Sequence, residues 1–138
     1  MNESKTVLVI DDDEDFLGLI TDALKIDGYT VLQARNGQGG LDIAQSQSPD
    51  LIVLDVMMPG MDGYQTCMKL QQSESTSHIP VLMLTAKTQT VDKFMGLFAG
   101  AVEYMCKPVK IQTFLESVKV LLSLGTGEAK QSGEEKPV

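Results

Sequence analysis

Three short runs without a polar residue constrain this chain most: "VLVI" (7–10), "LIVL" (51–54) and "VLML" (81–84). A strand with one wet face alternates apolar and polar residues. A run that is apolar at every position is covered on both faces, and such strands belong to parallel sheets flanked by helices. The first is extended by Thr6 to "TVLVI" (6–10), the second sits within "DLIVLDV" (50–56), and the third within "IPVLMLT" (79–85), where Pro80 falls at a tolerated early position. Two weaker runs, "DGYTVLQA" (27–34) and "AVEYMC" (101–106), read as a turn with a second strand and as a fifth strand.

Helical stretches separate these runs. Residues 14–26 carry Phe16, Ile20 and Leu24 at four-residue spacing, which predicts one buried helical face. Leu41 and Ala44 mark a weaker helix that ends near Pro49. Helices are expected over about 63–72, and over 88–99 with Gly100 as the C-cap. A last helix is expected over 110–124, with Phe114, Leu115, Val118, Leu121 and Leu122 on one face. "MMPGMDG" (57–63) is a loop by its Pro and Gly content. Five strands alternating with five helices define an α/β fold with a doubly wound parallel sheet. The expected domain covers 5–124, and the polar stretch 125–138 reads as a disordered tail or truncated linker.

In such sheets ligands bind outside the carboxyl ends of the strands. Asp11 and Asp12 end the first strand, Asp55 the third and Thr85 the fourth, and Lys107 follows the fifth. Three carboxylates gathered in one place need a cation, and Lys107 supplies one charge only. Oxygen ligands without His or Cys select Mg²⁺, with Mn²⁺ as a substitute, rather than zinc. A carboxylate, a divalent ion, a lysine and a hydroxyl form a phosphoryl-transfer constellation, with the carboxylate as nucleophile. Asp13, Glu14 and Asp15 read differently: they fall at the start of the first helix, where the dipole favours anions, with Asp13 as N-cap.

Composition removes other classes. A net charge of -8 disfavours a direct nucleic-acid or anionic-membrane surface. Cys67 and Cys106 lack paired spacing and read as free thiols in a reducing cytosol. No run is long enough to insert in a membrane, and "MNESKTV" lacks a signal peptide's apolar stretch, so the expected location is cytoplasmic. Asp11, Asp13 and Asp15 mimic the start of a calcium loop, but Phe16 stands where Gly is needed and Asp22 where Glu is needed. No P-loop motif is present.

The pieces "VLVIDD", "PDLIVLDVMMPGMDG", "IPVLMLTA" and "AGAVEYMCKP", in that order and spacing, resemble the receiver domain of two-component response regulators over residues 5–124. The resemblance implies the flavodoxin-like strand order 2-1-3-4-5. It implies a phosphoryl-accepting switch, not an enzyme acting on other molecules, whose architecture is the single-domain chemotaxis type. Asp55 is then the phosphoacceptor. Asp12 binds Mg²⁺ directly, Asp11 through water, and the Met57 carbonyl adds a ligand. Thr85 hydrogen-bonds the phosphoryl group and Lys107 pairs with it. Thr85 and Tyr104 form the switch, which repacks the face of the fourth helix, fifth strand and fifth helix. The implied partners are a sensor histidine kinase or histidine phosphotransfer protein and a downstream protein target or missing output domain. A homodimer through the switch face is a further use of that surface.

Two departures stand out. "GLFAGAVEY" replaces the acids of "GLEAGADDY", common in receivers with DNA-binding output, by Phe98 and Val102. This weighs against an ion-paired dimer and fits an apolar docking face. Met57 and Lys87 occupy positions that modulate dephosphorylation in the family. A phosphatase with an aspartyl-phosphate intermediate usually carries a second acid where Met57 stands. A pseudo-receiver that serves only as an interaction module is the alternative, and it usually lacks one or more of the five site residues kept here.

Overall fold

The computed structural model describes residues 4–86 and 90–124. Its strands are β1 (Thr6–Ile10), β2 (Thr30–Ala34), β3 (Leu51–Leu54), β4 (Val81–Thr85) and β5 (Glu103–Cys106). They alternate with α1 (Glu14–Ile26), α2 (Gly37–Gln47), α3 (Gly63–Gln72), α4 (Thr90–Phe98) and α5 (Ile111–Leu124). All pairings are parallel, in the order β2-β1-β3-β4-β5. This is the flavodoxin-like arrangement, and the strand order reverses between β1 and β3.

The uniformly apolar runs are explained by two cores, one on each sheet face. Leu8, Ile10, Ile52, Leu54 and Met83 pack with Leu41, Ala44, Cys67 and Leu70 of α2 and α3. Val7, Val9, Leu51, Val53, Leu82 and Leu84 pack with Leu17, Ile20 and Leu24 of α1 and with Phe114 and Val118 of α5. Successive strand residues point to opposite faces, so each residue of a central strand needs an apolar side chain. Each fully buried Val, Leu or Ile contributes roughly 1.5–3 kcal/mol relative to exposure.

β1, α1 and α3 run as expected, whereas ends of β3, β4, β5 and α5 fall one or two residues inside the expected ranges. β5 begins at Glu103 because Gly100, at φ +111°, ends α4 in the left-handed region. Ala101 N–H then closes back on the Gly96 carbonyl at 3.1 Å. On α1 the core positions are Leu17, Ile20 and Leu24; Phe16 is only half-buried and lies at the strand-end side of the helix. The expected tail (125–138) and Lys87 lie outside the described residues. Among the described residues, no helix is long and apolar enough to cross a membrane.

Candidate functional site

The site follows from register. Ile10 pairs with Leu54, so Asp11 and Asp55, the next residue on each strand, emerge side by side. Backbone hydrogen bonds run one step past the strands and fix both: Asp11 N–H donates to Ala34 at 3.0 Å and Asp55 N–H to Ile10 at 2.9 Å. Carboxylate oxygens of Asp11, Asp12 and Asp55 lie within 4.8 Å of one another. Asp11 and Asp55 are buried, at 2% and 4% exposure, while Asp12 is exposed.

Lys107 reaches into this cluster from the end of β5. Its Nζ lies 2.9 Å from Asp11 Oδ2 and 3.7 Å from Asp55 Oδ1. Its backbone N–H donates to the Thr85 carbonyl at 2.7 Å, and the peptide bond to Pro108 is cis. That hydrogen bond sets Lys107 beside Thr85, the fully buried last residue of β4. Nζ also sits 4.1 Å from the centroid of the Phe16 ring.

The row of acids from Asp11 to Asp15 separates into parts. Asp13 is the N-cap of α1; its Oδ1 accepts from Asp15 N–H at 3.1 Å and Phe16 N–H at 3.2 Å. Its own N–H donates to Asp11 Oδ1 at 2.9 Å. Both Asp11 oxygens are thereby engaged, one by a backbone amide and one by Lys107. Glu14 pairs with Arg35, outside the cluster.

The electrostatics are unbalanced. The Asp55 carboxyl is pushed up from 3.8 to about 6, first by burial and then by the neighbouring Asp11 charge. Lys107 and a hydrogen bond from the Met57 backbone pull the other way, and Asp12 adds a smaller upward push. Three carboxylates against one ammonium leave an excess that a hard divalent cation offsets, and an all-oxygen donor set suits such an ion.

Gly63 sets the loop between Asp55 and α3. A Cβ there would fall 2.3 Å from the Asp55 carbonyl and 2.7 Å from Val56 Cα. Only a residue without a side chain lets α3 begin against the backbone that carries Asp55. The helix itself starts with a capping box, Asp62 with Gln65.

Tyr104 lies elsewhere. It pairs with Met83, two residues before the strand end, and its ring packs against α4, where a Cβ on Gly96 would approach it to 2.7 Å. Its hydroxyl oxygen is buried, so the ring points inward. Met57, by contrast, leaves its side chain 54% exposed. His78 is exposed in the loop before β4, and Cys67 and Cys106 form no disulfide with one another. Burial pushes the Cys67 thiol up to about 11, so it is inert. Sequence reasoning missed Phe16 as a site residue. Its signal was position: it lies in the first helical turn after the strand-end acids, which carries it back over the strand ends.

Fold and cluster together define a flavodoxin-like α/β protein with an acidic pocket outside the carboxyl ends of its strands. The family model described as the response regulator receiver domain matches residues 7–119, and the chain belongs to that family, as the receiver domain of a two-component response regulator. It is 43% identical over 116 residues to the DNA-binding dual master transcriptional regulator RpaA of Synechocystis, covering 84% of this chain and 48% of that one. It is 36% identical over 117 residues to the protein PilH of Pseudomonas aeruginosa, covering 85% of this chain and 97% of that one. The chain thus spans about half the length of RpaA and nearly all of PilH. Among solved structures, the chemotaxis protein CheY4 of Vibrio cholerae superposes with a TM-score of 0.82 at 29% identity, covering 86% of this chain and 99% of that one. A receiver domain protein of Methanospirillum hungatei gives 0.85 at 27%, covering 91% and 99%.

Proposed function

We propose that this chain is a Mg²⁺-dependent phosphoryl-accepting switch with Asp55 as acceptor. The observation that carries the reading is the convergence of Asp11, Asp12 and Asp55 within 4.8 Å, with Lys107 Nζ 2.9 Å and 3.7 Å from two of them. The domain is 5–124. The donor is a phosphohistidine on a sensor kinase or phosphotransfer protein. The output is a protein target, or a further domain of a longer regulator, reached through the face of α4, β5 and α5. Homodimer formation through that face is one form of this output, and the setting is the cytoplasm.

Asp12, Asp55 and the Met57 carbonyl would hold the ion directly, and Asp11, whose oxygens are already engaged, through water. When bound, Mg²⁺ neutralises charge on the phosphoryl oxygens. An Asp55 oxygen attacks phosphorus and forms the new P–O bond. The P–N bond to the donor histidine breaks, and its electron pair stays on the imidazole. Lys107 moves from the carboxylates to a phosphoryl oxygen, and the Thr85 hydroxyl donates to another. Hydrolysis later returns Asp55 and inorganic phosphate. The protein therefore turns over only its own modification and is not a conventional enzyme. The ring of Tyr104 couples this change to α4 and β5.

Incubation with acetyl phosphate and Mg²⁺, read by intact mass, tests the reading. The native chain is expected to gain one phosphoryl group and Asp55→Asn to gain none. A native chain that stays unmodified where another receiver reacts is an interaction module, and the proposal fails.

A further inference from the structure

We infer that Phe16 is a positioning residue for Lys107: its ring forms the wall that holds the ammonium toward Asp11 and Asp55. The inference rests on the proposed role of Lys107 at the phosphoryl group. A lysine has four rotatable bonds and a strongly hydrated head, so reach alone does not place its charge. Here the head sits 4.1 Å from the Phe16 centroid on one side and 2.9 Å from Asp11 Oδ2 on the other. The Lys107 side chain keeps only 18% of its exposure. An ammonium over an aromatic face is attracted by the ring quadrupole, more strongly as water is removed.

The ring is itself held in place. Asp13 caps α1 and accepts from Phe16 N–H at 3.2 Å. The same Asp13 donates its N–H to Asp11 Oδ1, so cap, ring and carboxylate form one connected unit. Phe16 also packs against the core on the α1 and α5 face of the sheet. This accounts for its departure from the helix's core stripe: Leu17 fills the core position and Phe16 is left for Lys107. The ring sits beside the ammonium without contributing an oxygen ligand, so it steers the charge while leaving the cation's donor set unaltered.

Three variants of the full chain test this. Phe16→Leu keeps apolar bulk without a π face. Phe16→Tyr keeps the face. Incorporation of trifluorophenylalanine at 16 keeps the shape and weakens the quadrupole. The first readout is proton NMR of the Lys107 side chain, which needs no phosphorylation: ring-current upfield shifts of its ε-methylene are expected in native and Phe16→Tyr and lost in Phe16→Leu. The second is the rate of phosphorylation by acetyl phosphate, expected to fall about three- to tenfold in Phe16→Leu, less in the trifluoro variant, and to recover in Phe16→Tyr. Mg²⁺ affinity by calorimetry is expected to stay within about twofold throughout, since the ring supplies no ligand. Unshifted Lys107 resonances in the native protein overturn the inference, as does a native rate in Phe16→Leu. An equal loss in all three variants assigns Phe16 to core packing alone and overturns it too. If the native chain takes no phosphoryl group but the NMR shifts behave as stated, the contact stands and the proposed function is what fails.

Discussion

Burial and the charge of Asp11 together push the Asp55 carboxyl up to about 6 from 3.8. The fold therefore binds a proton at Asp55 that the unfolded chain releases at lower pH. Stability from this group is full below about 3.8 and is lost as pH rises through about 6. The rise from 3.8 to about 6 corresponds to roughly 3 kcal/mol at most. Urea unfolding without divalent ions is expected to show the native protein losing stability across that window relative to Asp55→Asn. Parallel pH curves for the two would contradict it. The acids themselves were legible as strand-end residues. Their energetics were not, because desolvation depends on what packs around the Asp55 carboxyl in three dimensions, which local spacing does not give. Tyr104 is similar: its place before Lys107 was readable, but its inward ring depends on a glycine eight residues earlier, Gly96.

At the scale of elements, two short-range devices deliver the site. The Asp13 cap starts α1 at the residue after the acidic pair, and Gly63 starts α3 against the Asp55 backbone. Asp13→Ala is expected to cost about 1 kcal/mol, the usual loss of an N-cap. Gly63→Ala is expected to cost more, about 1–3 kcal/mol, because its Cβ meets fixed backbone and not a flexible side-chain tip. Chemical denaturation of both variants decides the order, and an unchanged Gly63→Ala would contradict the close approach. The cap was readable from Asp13 before a helical pattern. The α1 core stripe was half readable: Ile20 and Leu24 are buried as expected, while Leu17 replaces Phe16. Phe16 lies four residues before Ile20 and Leu17 three, and both spacings fit one helical face.

The whole molecule is a parallel sheet whose central strands bring polar ends to one edge. Wholly apolar runs made the parallel sheet and its two cores legible. Strand order did not follow from those runs, because burial on both faces says nothing about which strand lies beside which; it came from the family resemblance and is seen in the pairing of β1 with both β2 and β3. Three carboxylates within 4.8 Å repel one another, and under the proposed function a divalent cation would offset that repulsion. Mg²⁺ at a hundredfold excess over its dissociation constant is expected to stabilise the native protein by about 2.7 kcal/mol. Thermal unfolding across a Mg²⁺ titration reads this, with most of the gain lost in Asp12→Asn and kept in Asp15→Asn. Equal gains in both variants would place the ion elsewhere.

Under the proposed function the phosphoryl group forms on Asp55 and depends on the cation. Reaction with acetyl phosphate, reduction of the acyl phosphate by borohydride and peptide sequencing by mass spectrometry locate the modified residue directly. Homoserine in place of Asp55 is expected when Mg²⁺ is present, and an unmodified chain when the ion is chelated. Modification at another aspartate, or at Asp55 regardless of Mg²⁺, would contradict it.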